Sequence, residues 1–128
     1  MVGKLKNEII GPLLDAMPAE ISFLDDADCV AYFNKGEKRE IFPRPAAAIG
    51  RNVKNCHPPK SIDKVMQIIG DFRNNRRDVA EFWIDHGGKK IYIRYFAVRD
   101  ENGKFLGTLE FSQDITQIRK LEGEKRLL

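Results

Sequence analysis

The segment GKFLGTLEFSQDIT, residues 103–116, has the pattern of a strand that ends at a capped junction. A glycine opens it, and polar residues alternate with apolar Leu109 and Phe111 in its second half, which is the period of a half-buried strand. Asp114 and Thr116 follow, and short oxygen-bearing side chains at such a junction accept hydrogen bonds from unpaired backbone N–H groups. The segment therefore predicts a long strand that leads into a helix.

Two more strand patterns come directly before this segment. Residues 79–84 and 91–98 are rich in apolar and aromatic side chains, and the final strand itself is expected at 105–115. Gly87 and Gly88 form the first turn, and an Asn-Gly pair lies in the second. Three successive strands with short turns indicate an antiparallel meander.

The first half of the chain predicts one hairpin and one long helix. Residues 21–34 place short apolar runs on both sides of an Asp-rich cluster at 25–28, which is typical of a tight turn. Prolines divide residues 35–59 into short pieces, and Ser61 is then a candidate helix N-cap. One face of that helix collects the apolar side chains of Ile62, Val65, Met66, Ile69 and Phe72.

Both ends of the chain predict flanking helical segments. Residues 1–17 carry apolar side chains at four-residue spacing, and Pro12, which has no backbone N–H, divides them into two helical pieces. Residues 117–128 are charged and helix-prone, with apolar side chains at three- and four-residue spacing. Residues 18–116 between these flanks form one domain.

Composition limits the function classes. The 128 residues are 42% hydrophobic, which allows one modest core. The 22 basic and 19 acidic residues give a net charge of +3, too small to indicate nucleic-acid binding. No apolar run approaches the roughly 20 residues that span a bilayer, and no signal-peptide pattern is present. Cys29 and Cys56 form no Cys-x-x-Cys pair, so we expect reduced thiols in a cytoplasmic protein that contacts neither membrane nor nucleic acid.

The order of predicted elements is helix, two strands, short helices, one longer helix, three strands and helix, which is an α+β plan. From about residue 18 to 118 it resembles the Per-Arnt-Sim (PAS) sensory domain. Three places carry the resemblance: FLDDADCVAYFN at 23–34, Ile-Gly-Arg-Asn at 49–52 leading to His57-Pro58, and the 103–116 segment with its Asp-x-Thr ending. The phrases NCHPPKS, AEFWI and YIRYFAVRDENGKFLGTLE are similar to PAS domains found beside hemerythrin-like domains in bacterial and archaeal proteins.

The resemblance implies a PAS-like five-stranded antiparallel sheet with helices packed on one face, flanked by N- and C-terminal helices. It also implies a sensory, signal-transducing domain without catalysis, which holds a small ligand or cofactor in an apolar pocket. The expected lining residues are Val53, Ile62, Met66, Ile69, Ile91, Ile93, Tyr95, Leu109 and Phe111. Asp114 and Thr116 are the expected relay to the terminal helix. The sequence does not name the ligand, the cofactor, the signal or the output domain.

Cys56 and His57 are the candidate metal ligands, because a thiolate and an imidazole both bind zinc or haem iron. In PAS domains a His-Pro pair is common at this place without a metal, so we expect a loop residue instead. Residues 50–52, Gly-Arg-Asn, resemble the flavin-binding motif of light-oxygen-voltage domains. Val53 occupies the position of the photoreactive Cys of that motif, so covalent flavin chemistry is not expected.

Two other functions stay open at this point. A filled core would make the domain a ligand-free dimerisation or docking module. Cys56, His57 and Asp63 could act as nucleophile, base and orienting group of a small enzyme only if the fold made them adjacent, and their spacing does not require it. The apolar positions of both flanking segments need cover, so a symmetric homodimer is the expected partner, beside other domains of the same protein.

Overall fold

A five-stranded antiparallel sheet forms the centre of the computed structural model, which describes residues 2–128. The strands are β1 (Glu20–Asp25), β2 (Val30–Phe33), β3 (Val79–His86), β4 (Lys89–Arg99) and β5 (Phe105–Asp114). They lie in the order β2-β1-β5-β4-β3, so β5 is central and pairs with both β1 and β4. The α+β prediction of a five-stranded antiparallel sheet is confirmed, with the hairpin and the meander joined through β1 and β5.

The long helix α2 (Pro59–Arg73) packs on one face of this sheet against β4 and β5. Its buried side chains are Val65, Ile69 and Phe72, which share the face that their spacing predicts. Pro58 and not Ser61 is the N-cap residue, and the Ser61 hydroxyl donates to the Pro58 carbonyl oxygen from inside the first turn. The connection from β2 to α2 contains three short 3₁₀ turns: Gly36–Lys38, Ala46–Ala48 and Val53–Asn55.

The N-terminal helix α1 (Asn7–Asp15) runs through Pro12 without a break, so the prediction of two helical pieces was wrong. Pro12 cannot donate to the Glu8 carbonyl oxygen, but Glu8 is exposed, and water can satisfy that oxygen on the surface. None of the residues of α1 is buried. Within residues 2–128, neither helix combines the length and the apolar character that crossing a bilayer requires.

The predicted C-terminal helix over residues 117–128 is also wrong. One 3₁₀ turn, Ile118–Lys120, follows β5, and the chain then runs to Leu128 without regular structure. Leu121 is 79% exposed, so no tertiary contact supports a helix here. A segment of this length is marginal as an isolated helix in water, because helix nucleation is costly.

The two faces of the sheet carry different side chains. Ile91, Ile93 and Tyr95 of β4 are buried on the inner face, towards α2, as the alternation along β4 predicts. On β5 the inner positions are polar, and Leu109 and Phe111 lie on the outer face instead. The period of β5 was predicted correctly but its orientation was not, because apolar and aromatic side chains of this strand lie on the outer face while its buried inner positions are polar.

Candidate ligand-binding site

A cavity of about 830 Å³ lies between the inner face of the sheet, α2 and the connection that follows β2. Apolar side chains form much of its wall: Phe42, Ile68, Phe82, Ile84 and Ile93. Small-molecule sites in proteins are typically clefts of about 300–1,000 Å³ with mostly apolar walls and a few placed polar groups. The cavity of this protein falls within that range.

A polar row crosses the floor of the cavity. Ser22 of β1, Glu110 of β5 and Tyr95 of β4 are direct cross-strand neighbours on the inner face, because Glu110 pairs with both of the other residues. Ser22 is only 2% exposed, and its hydroxyl has no hydrogen-bond partner within residues 2–128. Buried polar groups normally find partners, so an unpaired hydroxyl on a cavity wall is a candidate ligand contact.

Arg44 reaches this row from the connection after β2. Its Nη2 donates to Glu110 Oε2 at 3.2 Å, although the two residues are 66 positions apart in the sequence. Its Nε is buried and has no partner within the described residues. The guanidinium group therefore uses one part of its donor fork on Glu110 and keeps another donor unused beside the cavity.

Burial changes the protonation of the floor. Glu110 is 7% exposed, and this burial raises the pKa of its carboxyl above the ordinary value, against the opposing charges of Arg44, His57 and Arg39. Burial, followed by the charge of Glu110, raises the pKa of Tyr95 well above its usual range. Tyr95 therefore remains a neutral hydroxyl, and the neutral form of Glu110 is favoured relative to that of a solvated carboxyl.

A second pair, Glu20 and Arg39, holds the edge of the cavity. Glu20 accepts backbone N–H groups of residues 40, 41 and 42 at 2.5, 2.7 and 2.8 Å. Arg39 lies 3.6 Å from the Glu20 carboxylate and donates to the carbonyl oxygens of Ile21 and Phe42. These bonds fix the segment that carries Arg44, so Glu20 and Arg39 position the cavity wall.

Cys56 and His57 both line the cavity, and each side chain contacts a backbone carbonyl oxygen. The Cys56 thiol contacts the Asn52 carbonyl oxygen at 3.7 Å, and His57 Nδ1 lies 3.3 Å from the Val53 carbonyl oxygen. Asp63 is exposed on α2, and no hydrogen bond joins it to either residue in the described chain. Residues 2–128 contain no group of three or more His, Cys, Asp and Glu side chains that could hold a metal ion.

The structure brings only part of the predicted lining set to the cavity. Ile93 and Tyr95 lie on its wall, and ligand contact by these two remains a prediction. The buried core behind the wall contains Val53, Ile69 and Ile91. Ile62 and Met66 lie on α2 away from the cavity, and Leu109 and Phe111 lie on the outer sheet face.

Sequence reasoning missed the polar floor. Glu110 and Ser112 are the polar positions of β5, and polar residues on an alternating strand are expected to face solvent. A usable signal was present in β4, whose Tyr95 lies among inward apolar positions and pairs with Glu110. The register that connects Tyr95 to Glu110 follows from the turn after β4, which has a bulge between Val98 and Arg99.

The expected relay residues form a hydrogen-bonded corner at the end of β5. Thr116 donates both its backbone N–H and its hydroxyl to Asp114 Oδ1, and its hydroxyl oxygen accepts the backbone N–H of Lys90. The Ile115 N–H donates to the Lys90 carbonyl oxygen at 2.9 Å. The corner thus joins the exit of β5 to the start of β4.

The outer face of the sheet is aromatic and partly uncovered. The guanidinium carbon of Arg94 lies 4.7, 5.1 and 5.5 Å from the ring centres of Tyr92, Phe111 and Phe96. Trp83 on β3 is 63% exposed beside Tyr92. Large exposed apolar patches mark interaction surfaces more often than isolated apolar residues do.

The model of a family described as the PAS domain matches residues 10–116. This chain belongs to the PAS domain family. The match begins inside α1 of this PAS domain and ends at Thr116, the second residue of the relay corner. PAS domains are typically sensory or signalling modules, as in a sensor histidine kinase of similar fold.

Solved structures share the fold of this PAS domain. A C-terminal domain from Streptococcus mutans is 37% identical with a TM-score of 0.86, over 95% of this chain and 94% of that chain. A sensory box sensor histidine kinase from Vibrio cholerae is 15% identical with a TM-score of 0.58, over 85% and 91%. VqmA from the same genus, solved with a ligand and DNA, is 18% identical with a TM-score of 0.62, over 98% and 63%. The last two show the fold alone, and among curated proteins none matches this chain.

Proposed function

We propose that this PAS domain is a sensory module, without catalysis, that binds a small ligand in the 830 Å³ cavity and relays its occupancy through the end of β5. The observation that carries the proposal is the combination of an apolar wall with unpaired buried polar groups on Ser22 and Arg44. A core filled only for stability would bury its polar groups with partners.

The relay is supported by the shared strand. Glu110 and Ser112 line the cavity, and Asp114 follows on the same face of β5, two residues before Thr116. A ligand that displaces the cavity end of β5 would therefore displace the corner that holds the exit of the chain. The ligand can change the populations of the two positions of this corner only as far as it binds the protein more tightly in one of them.

Filling the cavity tests the proposal. Ile68→Trp places an indole in the cavity. Gln67→Trp adds the same side chain at the preceding position of α2, which is exposed. Native mass spectrometry of freshly purified protein and ligand-observed NMR with a library of small neutral compounds would measure occupancy. We expect binding in the parent and in Gln67→Trp and its loss in Ile68→Trp. Absence of binding in the parent, or equal binding in all three proteins, contradicts the proposal.

A homodimer is the second candidate, and it is compatible with ligand binding. Ile9, Ile10 and Leu13 of α1 are each more than 40% exposed, and the aromatic outer face with Trp83 is also uncovered. A symmetric pair in which α1 and this face cover each other would remove both surfaces from water. A domain that only dimerised, with no ligand in its cavity, is the alternative function that the cavity-filling experiment separates.

We also propose a cellular setting for the domain from its cysteines and its sequence motifs. Both cysteines are unpaired thiols, which fits a reducing prokaryotic cytoplasm. The NCHPPKS segment supports a place among PAS domains that neighbour hemerythrin-like domains. We also propose that the domain acts on other domains of its own protein and not directly on nucleic acid or membrane.

A further inference from the structure

The charges around the cavity do not balance. Three basic residues (Arg39, Arg44 and Lys64) and two acidic residues (Glu20 and Glu110) line it. Arg39 and Glu20 form an ion pair at the edge of the cavity. Arg39 also donates to the Ile21 carbonyl oxygen, and Glu20 accepts the Phe42 N–H. Arg44 pairs with Glu110 inside the cavity, and Lys64, the remaining basic residue of the lining, is exposed at its rim.

Arg44 is the more buried of these two basic residues. Its only hydrogen bond within residues 2–128 goes to Glu110, and its Nε has no partner. The unpaired Nε–H of this guanidinium can donate a charge-assisted hydrogen bond to a carboxylate oxygen of a ligand. Burial of Glu110 favours its neutral form, which weakens the compensation of the Arg44 charge.

The groups near Arg44 complete an acceptor-binding site. Ser22, the cross-strand neighbour of Glu110, has an unpaired hydroxyl that can donate to an oxygen of the ligand. The remaining wall is apolar, with Phe42, Ile68 and Phe82 among its members. The geometry points to a monoanionic organic acid as the ligand class, with a carboxylate on Arg44 and Ser22 and an aromatic or aliphatic body against the apolar wall.

This inference rests on the proposed function, because it names the ligand class of the same cavity. A ligand with a doubly charged head group would bring more negative charge into the cavity than the Arg44 guanidinium, which is already paired with Glu110, can balance. A neutral ligand would make a weaker hydrogen bond to the Arg44 guanidinium than a carboxylate makes. The size of the cavity fits a body no larger than a typical small-molecule ligand.

Matched acids and amides test the charge of the ligand directly. Octanoate and octanamide, and 4-phenylbutyrate and 4-phenylbutanamide, differ only in the head group, and calorimetric titration of the whole chain at neutral pH gives each affinity. We expect each acid to bind at least about tenfold more tightly than its amide, because hydrogen bonds to a charged group are the stronger ones. Arg44→Gln should reduce acid binding to the level of the amide and leave amide binding unchanged.

Control variants separate charge recognition from folding. Arg51→Gln removes an exposed charge away from the cavity and should keep the acid preference. Arg44→Lys keeps the positive charge but not the planar guanidinium, so it should keep only part of the acid preference. If Arg44→Gln unfolds, the double variant Arg44→Gln/Glu110→Gln removes both members of the pair and should fold without the preference. Near-ultraviolet circular dichroism checks the fold of each variant.

Three results would overturn the inference. They are equal affinity for acids and amides, an acid preference that survives in Arg44→Gln, and failure of all four compounds to bind. None of these decides the proposed function, because binding of neutral library compounds that Ile68→Trp abolishes would still establish a ligand cavity. Loss of the amides in Ile68→Trp shows, in addition, that the matched compounds occupy this cavity.

Discussion

The Thr116 hydroxyl donates to Asp114 Oδ1 at 2.6 Å, and the Thr116 backbone N–H donates to the same oxygen at 2.9 Å. The Thr116 hydroxyl oxygen also accepts the Lys90 N–H at 2.9 Å. The hydrogen bonds from the Thr116 side chain and backbone lower the pKa of the Asp114 carboxyl. One threonine thereby fixes both the exit direction of the chain and the edge of the β3–β4 hairpin.

Thr116→Val should loosen this corner. The variant keeps the side-chain shape but removes the hydroxyl, so we expect faster amide hydrogen exchange at Lys90, a lower melting temperature and a rise in the Asp114 pKa towards its ordinary value. NMR spectroscopy measures the Lys90 exchange rate and the Asp114 pKa. The matched control is Thr108→Val, because the Thr108 hydroxyl is buried without a partner and its removal should leave stability unchanged or higher. An unchanged Lys90 exchange rate in Thr116→Val would contradict the assigned role.

Glu20 should make the protein sensitive to acid. Burial raises the pKa of its carboxyl, but hydrogen bonds from the backbone of Ile41, Phe42 and Glu40 and the charge of Arg39 outweigh burial, so the pKa lies below its ordinary value of 4.5. A lowered folded-state pKa contributes stability that is present above the ordinary value and is lost as pH falls through the folded value.

The substitution Glu20→Gln tests that contribution. It leaves Arg39 buried without its charge partner, so we expect a loss of about 3 kcal/mol in the free energy of unfolding near neutral pH. The loss should shrink as the pH is lowered below about 4.5. Denaturant unfolding at a series of pH values measures it, with exposed Glu101→Gln as control. Parallel pH profiles for Glu20→Gln and the parent would show that the carboxylate contributes nothing.

Gly107 should not accept a side chain. It pairs with Asp25 of β1, and a Cβ at this position would overlap the Leu24 carbonyl oxygen and the Phe23 ring. Because a backbone atom cannot yield as a flexible side chain does, Gly107→Ala should lower the free energy of unfolding by about 2–3 kcal/mol. Gly70→Ala in α2 is the control, because a Cβ added there has no neighbouring atom outside the helix backbone within 4 Å. This substitution should raise the free energy of unfolding by about 0.5–1 kcal/mol. Urea denaturation of both variants decides the comparison.

Flavin, if it binds, should not form a covalent adduct. Val53 is fully buried where light-oxygen-voltage domains carry their reactive Cys, and its side chain offers no nucleophile. With flavin mononucleotide added, blue light should leave the absorption spectrum of the complex unchanged. Bleaching that recovers in the dark, and that disappears in Cys56→Ala, would show an adduct on the neighbouring thiol.

The proposed homodimer should depend on α1 and the outer sheet face. Leu13→Glu combined with Trp83→Glu places charge on both exposed surfaces, so we expect a folded monomer. Leu121→Glu serves as the control, because Leu121 lies beyond the last 3₁₀ turn and makes no helix. Light scattering at micromolar concentration distinguishes the states. A dimer that persists in the double variant, or a parent that is monomeric, rules out this interface.

The sequence by itself determined the five strands, the long helix α2 and their order along the chain. Alternation along β4 identified Ile91, Ile93 and Tyr95 as one inward face, and the apolar spacing of α2 identified the face that packs on it. Asp114 and Thr116 marked the end of the last strand correctly. These features depend on residues close together in the chain, and local periodicity is sufficient to predict them.

Only the tertiary structure decided what the cavity contains. Arg44 belongs to an irregular connection and meets Glu110 across 66 positions of sequence, a contact that no periodic pattern encodes. Local alternation also leaves two orientations for β5, and pairing with β1 and β4 turned Glu110 inward and Phe111 outward. The absence of a helix at residues 121–128 was also decided by tertiary structure, because helical propensity gives a stable helix only where packing supports it.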